Sequence, residues 1–440
     1  MPALPTMKTP GVYVVEQSTL PASVAQVATA VPAFIGYTQN GPVGAVKIAQ
    51  VSSLLDYEAI FGKAAVTPFT PGTDGSLAAA TSAPANLLWY AIDLYFRNGG
   101  GRCYIVSADN QSTALSSARL RAGLDAISRE DEPTILVIPE AVKLDIDDYG
   151  DVCKAALAQC AKLGDRFAIL DIKEDAVVTG KTAIEASRDQ FGANNLSYGA
   201  AYYPSLNTTL THLYSEDSVQ IGGRSLTAIK AEGTTLYGTA KRGLDAQRVQ
   251  LPASAAIAAV YTSVDSARGV WKAPANVSLT AVVGPTVQLS QEEQEDLNVV
   301  DNGKSINAIR AFAGRGILVW GARTLAGNDN EWRYVPVRRL FLTIEESARK
   351  ASAFAVFEPN DATTWLKVKG MIEAYLYGLW EQGALQGSKA EQAYFVNVGL
   401  GKTMSSQDIL EGRMIVEIGI AAVRPAEFIL LRFSHKLAEA

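Results

Sequence analysis

Between residues 86 and 198 the spacing of apolar positions switches back and forth between two periods. Asn86 to Asn98, Leu115 to Ser128, Asp147 to Leu163 and Thr182 to Phe191 carry apolar residues at helical spacing, the first closed by Gly99 to Gly101. Arg102 to Ala108, Thr134 to Pro139 and Arg166 to Ile172 are short apolar runs between them, and a fourth begins at Tyr198. Strands that alternate with helices in this way predict an α/β layer with mostly parallel pairing.

The flanks read differently. Residues 1–10 hold Pro2, Pro5 and Pro10 and predict an extended arm. Gly11 to Glu16 follows as a short β-rich run, with Val12 and Val14 on one side and Tyr13 and Val15 on the other. Val24 to Tyr37 predicts further strand, Val51 to Phe61 a helix capped by Ser52 or Ser53, and Thr67 to Ala85 a loop. Residues 205–250, rich in Thr, Ser and Gly, predict a surface insertion with a hairpin around Gly222 and Gly223. Beyond Pro252, helices are predicted over Ala253 to Val264, Gln291 to Val299, Arg338 to Ala353 and Ala362 to Gln382. Val277 to Val287 reads as extended, and Gly316 to Gly321, Glu391 to Val398, Met414 to Ile420 and Glu427 to Phe433 as strands. In the last of these, Phe428 and Leu430 alternate with Ile429, Leu431 and Phe433, interrupted only by Arg432. A terminal strand with two apolar faces is a poor free edge, because it would template aggregation; covered by another chain, it pairs and is buried.

With 440 residues, 48% apolar and 19% charged, the chain can bury a large core in two to three domains. A net charge of −6 without long like-charged blocks argues against a nucleic-acid partner. No run reaches the ~18 apolar residues of a spanning helix, and Met1 to Pro10 lacks the basic start and apolar stretch of a secretory leader. Cys103, Cys153 and Cys160 form no CxxC pair and read as reduced, mostly buried thiols of a protein made in the cytoplasm. The two histidines, His212 and His435, offer no triad or His-rich metal site. Gly401-Lys402-Thr403 and Gly303-Lys304-Ser305 imitate the end of a phosphate loop, but Val396 and Asn298 stand where its first glycine is required. Gly314, Gly316 and Gly321 have the wrong spacing for a dinucleotide fingerprint. The expectation is no catalysis, no cofactor and no metal. An α/β enzyme built on Leu87 to Ile172 is the alternative from another class, without a nucleotide or metal signal behind it.

A string of unusual words fills the second half: Arg268 to Asn276, Trp320-Gly-Ala-Arg-Thr324, Val337-Arg-Arg-Leu-Phe341, Phe357-Glu-Pro-Asn-Asp361 with Trp365, and Pro425-Ala-Glu-Phe-Ile429. Thr9 to Val14, Ala30 to Thr38 and Tyr198 to Pro204 precede them. In order and spacing this resembles the contractile tail sheath family, the outer tube of contractile phages and of phage-tail-like injection systems. The resemblance implies a structural subunit that polymerises around an inner tube in a metastable extended state, then contracts to drive that tube through an envelope. A non-contracting sheath paralogue at the baseplate or cap end is the alternative within the family. The implied partners are other copies of the chain in stacked rings, the inner tube protein, and baseplate and cap proteins. Assembly in a bacterial cytoplasm is implied, into a phage tail or a released or anchored particle.

The expected fold is mixed α/β: a tube-facing inner domain with exchanged terminal strands, plus an inserted outer α/β domain. Its boundaries are read as an arm over 1–19, the inner domain over 20–65 and 252–424, the outer domain over 66–251, and a C-terminal arm strand over 425–440. The family resemblance assigns strand exchange between subunits to Val12, Tyr13, Val14 and Val15 and to Phe428, Ile429, Leu430, Leu431 and Phe433. Hinges would fall at Gln17, Ser18 and Pro21 and at Ala422 and Pro425. The helix over Ala362 to Gln382 would face the tube with Lys367 and Lys369. Trp271 and Trp320 read as core aromatics. Arg323, Arg338 and Arg339 sit in apolar sequence and should pair with acids such as Glu358 and Asp361, because an unpaired buried charge is costly.

Overall fold

The computed structural model describes residues 24–299 and 303–428. Its first half contains β1 (Pro32–Thr38), β2 (Lys47–Val51), α1 (Leu54–Phe61), β3 (Thr81–Ser82), α2 (Leu88–Arg97) and β4 (Cys103–Asn110). Then come α3 (Ser117–Ile127), β5 (Ile135–Val137), α4 (Ile146–Leu163), β6 (Phe167–Asp171), α5 (Ala183–Gln190) and β7 (Gly199–Tyr203). The middle adds β8 (Leu206–Thr211), β9 (Gln220–Ile221), β10 (Arg224–Ser225), α6 (Leu226–Ala231), α7 (Thr235–Asp245), β11 (Arg248–Leu251) and α8 (Ser254–Arg268). After these run β12 (Val277–Ser278), β13 (Val282–Pro285), α9 (Gln291–Asn298), β14 (Ile306–Phe312) and β15 (Gly316–Trp320). The last elements are α10 (Val335–Ser352), α11 (Ala362–Glu381), α12 (Ala390–Ala393), β16 (Tyr394–Val398), α13 (Ser406–Leu410) and β17 (Val416–Ile420).

Among the described residues nine strands make one sheet, ordered β12-β15-β14-β7-β6-β5-β1-β4-β2. Its centre, β14 to β4, is parallel, and antiparallel strands close both edges. Alternate residues of each strand enter different cores, as the period of two requires. Phe34, Ile135, Val137 and Ile169 face α2 and α8, whereas Ala33, Ile35, Leu136 and Leu170 face α3 and α4. Local signals start the helices where the chain predicts. Ser53 accepts from Asp56 N at 3.1 Å to cap α1, and Thr182 with Glu185 forms a capping box on α5. Gly222 and Gly223, both with positive φ, join β9 to β10 as the expected hairpin.

Two expectations are corrected here. Residues 205–250 are not all surface insertion: their ends, β8 and β11, lie side by side in a second sheet ordered β13-β8-β11-β3. The stretch between packs its own small core from Val219, Ile221, Leu226, Ile229, Ala240 and Leu244. Boundaries at 65/66 and 251/252 are crossed by the main sheet, since β1 pairs with β4 and β5, and β14 with β7. Local periodicity names strands but not their neighbours. The described residues divide instead into a larger unit, 27–346 with 422–428, and a smaller one, 347–421 with 24–26.

In doubly wound sheets the crevice outside the strand C-termini, where the strand order reverses, is the usual ligand position. Here β1 lies between β4 and β5, and Glu140, just after β5, fills that crevice. Its carboxylate accepts from Tyr37 N at 2.8 Å and from Leu87 N, at the start of α2, at 3.2 Å. Gly36 permits this approach, because a Cβ there would stand 3.0 Å from the carboxylate oxygen. One strand pair along, Asp171 at the end of β6 accepts from Ser254 N at 2.8 Å and so ties down the start of α8. The three cysteines are buried and unpaired in disulfides.

Burial pushes the Glu140 and Asp171 carboxyls up to about 7. The folded chain therefore keeps these protons to a higher pH than the unfolded chain, and the stability they contribute is lost as pH rises from Glu140's ordinary 4.5 through about 7. Glu140→Gln cannot ionise and should lose its share of that slope. Between about pH 5 and about pH 7.5 its stability should gain on wild type by on the order of 3 kcal/mol, read from thermal melts. A constant difference across this range would contradict the raised carboxyl.

Candidate assembly site

In the smaller unit, β16 and β17 pair antiparallel from Tyr394↔Ile420 to Val398↔Val416, as a ribbon of two strands among the described residues. One face carries Val396, Val398 and Ile418 and packs on α11 through β16, while Asn397 and Glu417 occupy the other. Phe395 lies over Gly419 on that second face, where a Cβ would collide with its ring. A two-stranded ribbon is marginal alone and has edges that can take a further strand. Exposed apolar side chains surround it in sequence: Phe354, Val356, Phe357, Leu366, Leu400 and Leu410. Phe357 is fully exposed and sits at φ +69°, a conformation that costs a bulky residue energy.

The buried arginines of the larger unit find partners far along the chain. Arg323 forks onto Glu427, Nε to Oε1 at 2.9 Å and Nη2 to Oε2 at 2.7 Å, and its Nη1 reaches Asn298 O at 3.0 Å. Asn298 Nδ2 and the Tyr334 hydroxyl also donate to Glu427, at 2.9 and 3.2 Å. Burial alone would raise the Glu427 carboxyl, but these donors hold it below its ordinary range. Arg339 forks onto Asp265 at 3.0 and 2.6 Å and donates to Thr29 O at 2.9 Å. Arg338 lies between the Tyr198 and Trp332 rings, 4.2 and 4.5 Å from their centroids. Glu427 and Asp265 thus replace the acids expected from sequence. Asp361 instead caps α11 by accepting from Thr363 N and Thr364 N at 3.0 Å, and Glu358 follows the short turn that ends α10. Trp271 and Trp320 are corrected too. Both are half-buried, Trp320 packing at a tilt against Phe312 with centroids 4.6 Å apart and Trp271 folding over Gly269 at the end of α8.

Comparison with known proteins gives the family. Residues 152–325 match the phage tail sheath protein central domain, and residues 327–436 the phage tail sheath C-terminal domain. The chain is 33% identical to the sheath of the extracellular contractile injection system PVC in its contracted state, covering 98% of this chain and 99% of that one, with a TM-score of 0.68. It belongs to the phage tail sheath family. The helical sheath of the anti-feeding prophage (AFP) in its contracted state is 36% identical over 98% of this chain and 100% of that one, with a TM-score of 0.67. A chain of the contracted AFP baseplate is 28% identical over 99% of this chain and 100% of that one, with a TM-score of 0.73. The tail sheath protein of Vibrio phage KVP40 is 24% identical over 187 residues, 42% of this chain; the match spans about a quarter (26%) of that relative's length.

Most sheath residues assigned to strand exchange, and part of the hinge set, lie outside the described residues: Val12, Tyr13, Val14, Val15, Gln17, Ser18, Pro21, Ile429, Leu430, Leu431 and Phe433. Phe428 is exposed, and Ala422 and Pro425, which follow β17 along the chain, are half-buried. On α11, Lys367 is exposed, and Lys369 pairs with Glu373 one turn on at 3.5 Å. Among the described residues no helix is long and apolar enough to cross a membrane.

The Arg339–Asp265 pair is nearly inaccessible to solvent, with both side chains 3% exposed. Asp265→Asn would leave the guanidinium without a counter-charge and should destabilise the sheath subunit by roughly 3–5 kcal/mol, measured by denaturant unfolding. A loss below about 1 kcal/mol, the scale of a surface pair, would mean that solvent reaches the site.

Proposed function

We propose that this chain is the subunit of a contractile sheath, which polymerises around an inner tube in a metastable extended state and contracts to drive that tube through a target envelope. The observation that carries the reading is the likeness to contracted-state sheath chains over almost the full length of both partners. Val12 to Val15 and Phe428 to Phe433 supply the strands that neighbouring copies exchange, with Gln17, Ser18, Pro21, Ala422 and Pro425 bending between rings. The β16–β17 ribbon suits the receiving role, since its edges can take strands and one face is already backed by α11. The inner tube, the baseplate and a terminal cap are the other partners. Particles are built in a bacterial cytoplasm, as part of a phage tail or of a released or anchored machine. The driving energy resides in the extended lattice.

Removing residues 1–16, or truncating after Phe428, should leave a folded, soluble body that forms no sheath, as judged by thermal melting and electron microscopy. Tubes of normal length from either variant would refute strand exchange. In wild-type particles a main sheath runs the whole tail length; a non-contracting paralogue at the baseplate or cap end, the competing reading, would decorate one end.

Lys367 and Lys369 on α11 are proposed to face acidic groups of the tube. Reversing both charges, Lys367→Glu with Lys369→Glu, should weaken assembly around the tube at low salt and less so at high salt, because exposed charges are screened over ~10 Å at 0.1 M. Unchanged sedimentation of sheath with tube at both salt levels would remove α11 from the interface.

A further inference from the structure

Two of the sequence words, Trp320 to Thr324 and Pro425 to Ile429, meet at one ion pair, and a third, Val337 to Phe341, holds the other end of the larger unit. Glu427 receives Arg323, Asn298 and the Tyr334 hydroxyl. Arg323 is itself fixed from behind: its backbone N–H donates to Asn307 Oδ1 at 2.7 Å, and Asn307 Nδ2 donates to Ala201 O of β7 at 3.1 Å. At the other end, Thr29 O accepts from Arg339 Nη2 and from Thr134 Oγ1, both at 2.9 Å, and Thr134 Oγ1 accepts from Val31 N at 2.9 Å. Asp265 fixes Arg339 in turn. Tyr334 directly precedes α10 and Arg339 lies in its second turn, roughly 7 Å further along at 1.5 Å per residue.

The geometry points to a double anchorage in which Arg323 and Arg339 tie the roots of both terminal segments, at Glu427 and Thr29, to the body at the start of α10. This rests on the strand-exchange reading and deepens it. A fork with one buried and one partly exposed partner adds little stability, but it specifies the position of one carboxylate. Glu427 is therefore held at one point however the chain before it bends. The C-terminal arm is then counted from after Glu427, and Ala422 and Pro425 lie on the body side of the tie, which moves the C-terminal bend of the strand-exchange reading from them to the chain beyond Glu427. The N-terminal arm then pulls on α10 through Arg339, and the C-terminal arm on Arg323 and on Tyr334, which bridges to Arg323 and leads into α10, so load arriving through one terminus is passed to the other across the start of that helix.

A spacer experiment tests this with the full-length chain. A short Gly-Ser insertion after Val423 should be absorbed, because Glu427 stays docked, and tubes should assemble and contract as in wild type. The same insertion after Phe428 lengthens the arm itself and should cause loss of contraction. Adding Glu427→Gln to the first insertion should make it as harmful as the second. In the unassembled protein, Glu427→Gln should speed amide exchange of residues 422–428 by about tenfold or more, and Thr134→Val that of 27–31, with little change in melting temperature. Two insertions with equal effects, or unchanged exchange at 422–428 in Glu427→Gln, would overturn the anchorage. The truncation after Phe428 keeps the tie and removes the rest: if it abolishes assembly while both insertions behave alike, strand exchange stands and the anchorage falls. Normal assembly of the truncation sinks strand exchange and with it the passage of load, while amide exchange in Glu427→Gln still decides the tie itself.

Discussion

Parallel strands have to be covered on both faces, and the larger unit is organised around that requirement. β1 meets it in full: all seven of its residues are buried, and it pairs with β4 on one side and β5 on the other. Helices α2 and α8 cover one face, and α3 and α4 the other. Because β1 comes first in the described chain and its neighbours come after residue 102, the sheet closes only once a long stretch has returned to it, at a substantial loop-closure cost. The carboxylates at the strand ends follow from the same arrangement. The amide groups at the starts of α2 and α8 are buried, and Glu140 and Asp171 satisfy them from within the chain.

Elements with strong periodicity were legible in the sequence, and pairings across distance were not. α3, α4, α5, α8 and α11 lie within a few residues of their expected spans, because an apolar stripe and a capping residue are local signals. β14 escaped notice: Asn307 and Arg310 interrupt its apolar run, and Asn307 makes sense only once Ala201 and Arg323 surround it. The arginines show the same divide. That they are buried could be read from their apolar neighbours, but their acids lie 104 and 74 residues away, and acids closer along the chain were the wrong choice. The tryptophans misled because their rings are large enough to be half-buried against Phe312 or Gly269 while still marking a motif.

The smaller unit is built on a different scale. α11 carries much of its apolar burial through Val368, Met371, Ile372, Leu376 and Leu379, and among the described residues its ribbon is covered by that helix and the short α12. Such a ribbon gains more from added strands than a complete sheet would, since among the described residues each of its strands has a single partner. The second face mixes Asn397, hydrogen-bonded to Glu417, with the exposed ring of Phe395.

The buried thiols have a practical consequence for measuring motion. Burial pushes Cys103, Cys153 and Cys160 up, Cys153 to about 12, so none is a thiolate at neutral pH and none is accessible to reagent. A cysteine introduced at a chosen surface position would then be the sole thiol that a maleimide dye can modify. Pairs of such dyes could report distances within a working particle without first stripping the chain of its native cysteines.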